Sequence, residues 1–79
     1  MSKIKYRVII RDKDIPGIFC VPAPNENHEE TLIPKNSIVS FVDKIIFREN
    51  NFIVIEWENK KFLITENQFK CNLFKINQR

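Results

Sequence analysis

Apolar and polar residues alternate with a period of two along most of this chain, the spacing of half-buried β-strands rather than of helices. The opening KIKYRVIIR sets Ile4, Tyr6, Val8 and Ile10 on one side of an extended segment and Lys3, Lys5, Arg7 and Arg11 on the other. RDKDIPG then signals a turn, and Gly17 to Pro22 (GIFCVP) reads as a short strand bounded by proline. Residues 23–37 begin polar and acidic and are flanked by prolines, which predicts one long exposed loop. SIVSFVDKIIFR is a long strand with apolar residues on both faces, and Asp43–Lys44 in its middle predicts a bend or bulge. Arg48 to Asn50 make a hairpin turn. NFIVIEWE is the clearest strand, and Glu58 to Lys61 form a second tight turn into KFLIT. Thr65 followed by Glu66 fits a single helical or 3₁₀ turn before a last strand, KCNLFKI.

Five or six short strands with no useful amphipathic helix predict an all-β fold. In a chain of 79 residues these form one domain, a small barrel or sandwich, because a flat sheet would leave a face and two edges uncovered. The phrase LIPKNSIVSFV followed by NFIVIEWENKKFLIT resembles bacterial Src-homology-3-like domains. In that family an I/L-P-K-G-polar-V phrase enters a strand, and a hairpin then carries an aromatic residue, V-x-Y/W and a tight N-G-K turn. Ile33, Pro34, Lys35 and Asn36 sit on the first phrase, and Phe52, Ile55 and Trp57 sit on the second, followed by Asn59, Lys60 and Lys61. Phe62 to Ile64 match the next strand and Phe69 the closing aromatic, so the resemblance spans Leu32 to Phe69. Asn36 and Asn59 stand where glycine is usual, and asparagine tolerates the left-handed conformation such turns need. The resemblance implies a small Src-homology-3-like barrel and carries over no ligand.

Composition changes the picture little. Apolar content of 43% and mixed charges with a net of +3 describe an ordinary folded domain for which nucleic-acid binding is permitted but not required. Abundant Ile, Lys, Asn and Phe all have A/T-rich codons, which suits a phage or mobile-element accessory protein. The N-terminus lacks an apolar run of signal-peptide length and no segment reaches membrane-span length, which points to a cytoplasmic protein. Cys20 and Cys71 lack zinc-site spacing and are expected as buried free thiols, or as a disulfide if the chain is exported.

Catalytic chemistry has no foothold. His28 stands among Glu26, Glu29 and Glu30 in a loop where neighbouring side chains diverge, so the expectation is a solvated acidic loop with no metal and no cofactor. The single glycine, Gly17, excludes glycine-rich phosphate loops, and no nucleophile–histidine order can be read.

Two surfaces remain as candidates. If Ile53, Ile55 and Trp57 point inward, Phe52 and Val54 lie outside beside Glu56 and could anchor a partner; the opposite register exposes Trp57 instead. The second surface is basic. Residues 1–13 carry +4, residues 67–79 carry +3, and residues 14–34 carry −4. If the first and last strands pair, Lys3, Lys5, Arg7 and Arg11 merge with Lys70, Lys75 and Arg79 into a patch that could bind phosphates or steer an acidic protein. The bland alternative is an edge strand kept soluble by its charges. The expected role is a non-catalytic protein-binding module or small inhibitor. A nucleic-acid-binding barrel and a homo-oligomeric structural piece are the alternatives.

Overall fold

A computed structural model describes residues 3–76 and contains seven strands and one helix. The strands are β1 (Lys5–Val8), β2 (Gly17–Pro22), β3 (Thr31–Pro34), β4 (Ile38–Phe47), β5 (Asn50–Trp57), β6 (Lys60–Thr65) and β7 (Leu73–Lys75); α1 (Glu66–Asn72) lies between the last two. They form one antiparallel sheet in the order β3-β2-β6-β5-β4-β1-β7, curled into a half-barrel. The chain is all-β, as its alternation implies.

Two tight turns set the central register. Arg48 and Glu49 have φ of 51° and 67°, and Glu58 and Asn59 have 52° and 66°. Two consecutive left-handed residues make a turn whose twist matches that of the strands, which is why two-residue hairpins use it. Phe47 therefore faces Asn50, and Trp57 faces Lys60. From these anchors Phe41, Ile55 and Phe62 fall in one cross-strand row on the concave face, with Ile53 and Ile64 in the next.

The ladder slips by one residue between Phe41 and Asp43, a β-bulge at the place where charge interrupts the apolar run. An extra residue on one strand reverses the facing of everything after it. Phe41 points into the concave side, but Asp43, Ile45 and Phe47 fall on the convex side, opposite Val54, Phe52 and Asn50 respectively.

The concave side holds the core: Val8, Ile18, Cys20, Ile33, Val39, Ile53, Ile55, Phe62, Ile64 and Leu73. Helix α1 closes it. The Thr65 side chain accepts a hydrogen bond from the Gln68 N–H at 3.1 Å, capping the first turn. Phe69 then meets Tyr6 edge-on at 4.8 Å and Phe41 at 6.0 Å.

Three expectations are corrected. The turn before the last strand is a seven-residue α-helix rather than a single 3₁₀ turn, because Phe69 has aromatic partners one turn in and the helix continues to Asn72. Cys71 consequently belongs to α1 and is exposed; only Cys20 is a buried thiol, and both are free. The long loop of residues 23–37 is interrupted by β3, whose Ile33 is fully buried against β2, so the sheet has seven strands where five or six were expected. Pairing of the first and last strands is found: β1 lies between β4 and β7.

Candidate interaction surface

Paired residues share a face of a sheet, so the registers show what the convex side carries. Val21 faces Leu63, Leu63 faces Val54, and Phe52 faces Ile45. Phe47 continues the row at one end, and the Phe19–Leu32 pair continues it at the other. Phe19 is 64% exposed and Phe47 59%. Pro24, from the loop after β2, joins Ile45, Phe47, Phe52 and Leu63 around a shallow hollow of about 260 Å³ whose lining contains no charged side chain. Exposed apolar residues scattered singly are ordinary, whereas these lie in one row across neighbouring strands.

The residues expected at this surface divide. Phe52 lies in the wall of the hollow and is half-buried. Val54 is not exposed as the alternation of β5 alone suggested: it is 5% exposed, because Leu63 and Asp43 stand on either side of it. Trp57 is half-buried and packs against the core from the concave side. Glu56 is on the convex face and is paired with the Lys3 ammonium. Phe19, Val21, Leu32, Ile45, Phe47 and Leu63 were not singled out from sequence. Alternation within FCV, with Cys20 inside, carried a signal for Phe19 and Val21. No local signal marks Ile45 and Phe47, because the bulge decides their side.

The basic residues are spread over different parts of the fold. Lys5 and Arg7 lie on the convex face, where Arg7 stands opposite Phe74 and its guanidinium reaches the Asn36 carbonyl at 3.4 Å. Lys75 is opposite Tyr6, on the other face. Lys3 is held by Glu56, and Lys70 lies 4.0 Å from Glu66 on α1. Arg11 borders a separate depression with Ile15, Lys70 and Phe74. Arg79 lies outside the described residues.

His28 does not sit in a freely solvated loop. Its side chain is 13% exposed, with Nε2 at 2.9 Å from the Lys61 carbonyl and Nδ1 at 3.1 Å from the Glu29 carbonyl. The ring meets Phe62 edge-on at 4.7 Å, and Glu26 Oε1 lies 3.8 Å from Nε2. The residue pins the loop after β2 to the start of β6, which places Pro24 over the hollow. Among the described residues, no three His, Cys, Asp or Glu side chains cluster tightly enough to hold a metal ion. Burial pushes the Cys20 thiol up to about 12, so it stays protonated, and it is not an accessible nucleophile. Among the described residues, no helix is long and apolar enough to cross a membrane.

Two carboxylates are held below the ordinary glutamate value. For Glu56 the main cause is the hydrogen bond from Lys3; for Glu66 it is the Asn51 amide, followed by Lys44 at 3.2 Å. A depressed folded-state value means that the stabilisation is complete above the usual 4.5 and disappears as pH falls through the folded values. Stability is expected to decline below that pH, and to decline less in a Glu56→Gln/Glu66→Gln variant. Urea midpoints measured from pH 7 down to 3 test this; identical profiles for the two proteins would refute it.

No protein-family model, no curated protein and no solved structure matches this chain.

Proposed function

We propose that this protein is a non-catalytic interaction module that docks another protein on its convex apolar face. The observation that carries the reading is the row Leu32, Phe19, Val21, Leu63, Phe52, Ile45 and Phe47, with an uncharged hollow among Ile45, Phe47, Phe52 and Leu63. A hollow of that size accepts one or two apolar side chains, the form in which a few anchors supply most of the affinity of a protein interface. An inhibitor that covers a partner's working surface is one instance of such a module. The curled sheet, the two-residue turns with left-handed Asn59 and the helix before the last strand favour a Src-homology-3-like barrel as its architecture.

A second reading, nucleic-acid binding, draws on one feature. Arg7 and Phe74 are cross-strand neighbours beside Lys5, a cation next to an exposed ring on which a base could stack.

Capture from host lysate at low and high salt, with and without nuclease, separates the two. Under the protein-docking reading, a stoichiometric partner survives salt and nuclease. It is lost with Phe47→Asp, at a cost of about 2 kcal/mol or more, and kept with Lys5→Glu/Arg7→Glu. Loss with the charge reversal and retention with Phe47→Asp would overturn it.

A further inference from the structure

We infer that the outer edge of β4 at Ile45–Phe47 is a pairing edge for a second copy of this chain. Strand β1 covers only the beginning of β4: paired numbers in that ladder total 45, as in Lys5 with Ser40 and Arg7 with Ile38, and the Phe41 N–H donates to the Ile4 carbonyl. On β4 the described β1 ladder reaches only Ile38 to Ser40, so Ile45 to Phe47 lie beyond it among the described residues. In the two-residue hairpin Phe47 and Asn50 form the closing hydrogen-bonded pair, so alternation turns the N–H and C=O of Ile46 away from β5. The neighbouring outward N–H, that of Lys44, is taken by its own Asp43 side chain at 2.8 Å, the arrangement of a strand edge without a partner.

Natural sheet edges are blunted by charge, proline or brevity. The two terminal edges of this sheet are so protected: β3 has four residues and ends in Pro34, and β7 has three and ends in Lys75. Ile45–Ile46–Phe47 has no charge and no proline, and Ile46 is 70% exposed, the most exposed large apolar residue among those described.

The occupant follows from the pattern. A two-fold axis normal to the sheet pairs residues that lie on the same face, so convex Ile45 and Phe47 meet each other and concave Ile46 meets Ile46. Within Ile45–Phe47 that register opposes only apolar side chains and lets the two Ile46 backbones exchange both hydrogen bonds; the next residue, Lys44, falls opposite Arg48, which is already in the turn. Shifting it two residues toward Asp43 sets Lys44 against Ile46 and Asp43 against Phe47, charge against apolar surface. Lys44 stays compensated by Glu66 of its own chain. The convex rows of both copies would then join through Phe47 and Ile45 into one band. The pairing edge shares Ile45 and Phe47 with the docking face, and Ile46, on the opposite face from the hollow, is the position that distinguishes the two.

Sedimentation equilibrium of the purified chain tests it. The expected mass rises with concentration toward twice 9.5 kDa. Ile46→Lys, a change at an exposed site, weakens association at least about tenfold while circular dichroism is unchanged, and Phe19→Asp, far along the convex row, still associates. In concentration-dependent hydrogen exchange, the Ile46 amide slows as dimer forms. A wild-type mass that stays at the monomer value at millimolar concentration overturns the inference. So does a dimer unaffected by Ile46→Lys, or an Ile46 amide that exchanges at one rate throughout.

Discussion

Phe62→Ala is expected to lower unfolding free energy by about 3–5 kcal/mol, the usual cost of truncating a fully buried phenylalanine. Phe62 is 0% exposed and the largest of the fully buried side chains. It stands opposite Ile55 on β5 and Pro22 on β2, so its ring joins the two halves of the curl. It also receives the edge of His28, which ties the loop after β2 to the sheet. The lost transfer energy would therefore be accompanied by a cavity that spans three strands and by a loosened loop. Small domains have only about 5–15 kcal/mol in total, and one of this size belongs near the lower end. The variant should melt far earlier than the native protein, with a large part of the chain unfolded at physiological temperature. Urea denaturation followed by Trp57 fluorescence measures this directly. A loss under 1 kcal/mol would contradict the placement of Phe62 at the centre of the core.

Gly17→Ala should destabilise by about 1–3 kcal/mol, the cost of forcing atoms into a filled space. A β-carbon at this position would sit 2.2 Å from the Ile33 carbonyl oxygen and 2.8 Å from its carbon. Both are backbone atoms of β3, so no side-chain rotation relieves the clash. Strand β2 would have to separate from β3 where Gly17 pairs with Pro34 and where the Lys35 N–H donates to the Pro16 carbonyl at 3.0 Å. The φ of Gly17 is not positive, so space rather than backbone freedom demands glycine here. An alanine would gain about 0.4–1 kcal/mol through the unfolded chain, less than the strain it introduces. The same denaturation experiment decides the sign, and a variant more stable than the native protein would refute the contact. Because Phe19 and Leu32 pair within this hairpin, the variant also tests whether the far end of the convex row needs the β2–β3 register.

The convex row makes a physical point about edges and faces. A half-barrel buries one face completely and leaves the other to solvent, and the usual solution is a polar outer face. This chain uses that solution at one end, where Lys5, Arg7, Glu56 and Lys61 lie, and abandons it at the other. The change falls across β5 between Glu56 and Val54, two residues apart on the same face. Charge lies on one side of that boundary and apolar surface on the other.

Local chemistry determined much of this protein directly. The period of two specified strands, and the pairs Arg48–Glu49 and Glu58–Asn59 specified where they turn, with Asn36 and Asn59 accepting left-handed φ of 70° and 66°. Asp43–Lys44 announced the bulge, and Thr65 announced the helix start. These features depend on neighbours within a few residues, which a sequence displays. The tertiary structure decided the rest. Val54 became buried because Leu63 arrives beside it from another strand, and Ile45 and Phe47 reached the convex face because one extra residue at the bulge reversed the alternation. The helix ran on to Asn72 because Phe69 found Tyr6 and Phe41, distant in the chain. The basic residues of the two terminal strands stayed apart although β1 and β7 pair, since the register sets Lys75 opposite Tyr6 instead of beside Arg7. Alternation tells which residues share a face, but register tells which faces meet, and register is settled by contacts between segments that the linear order does not bring together.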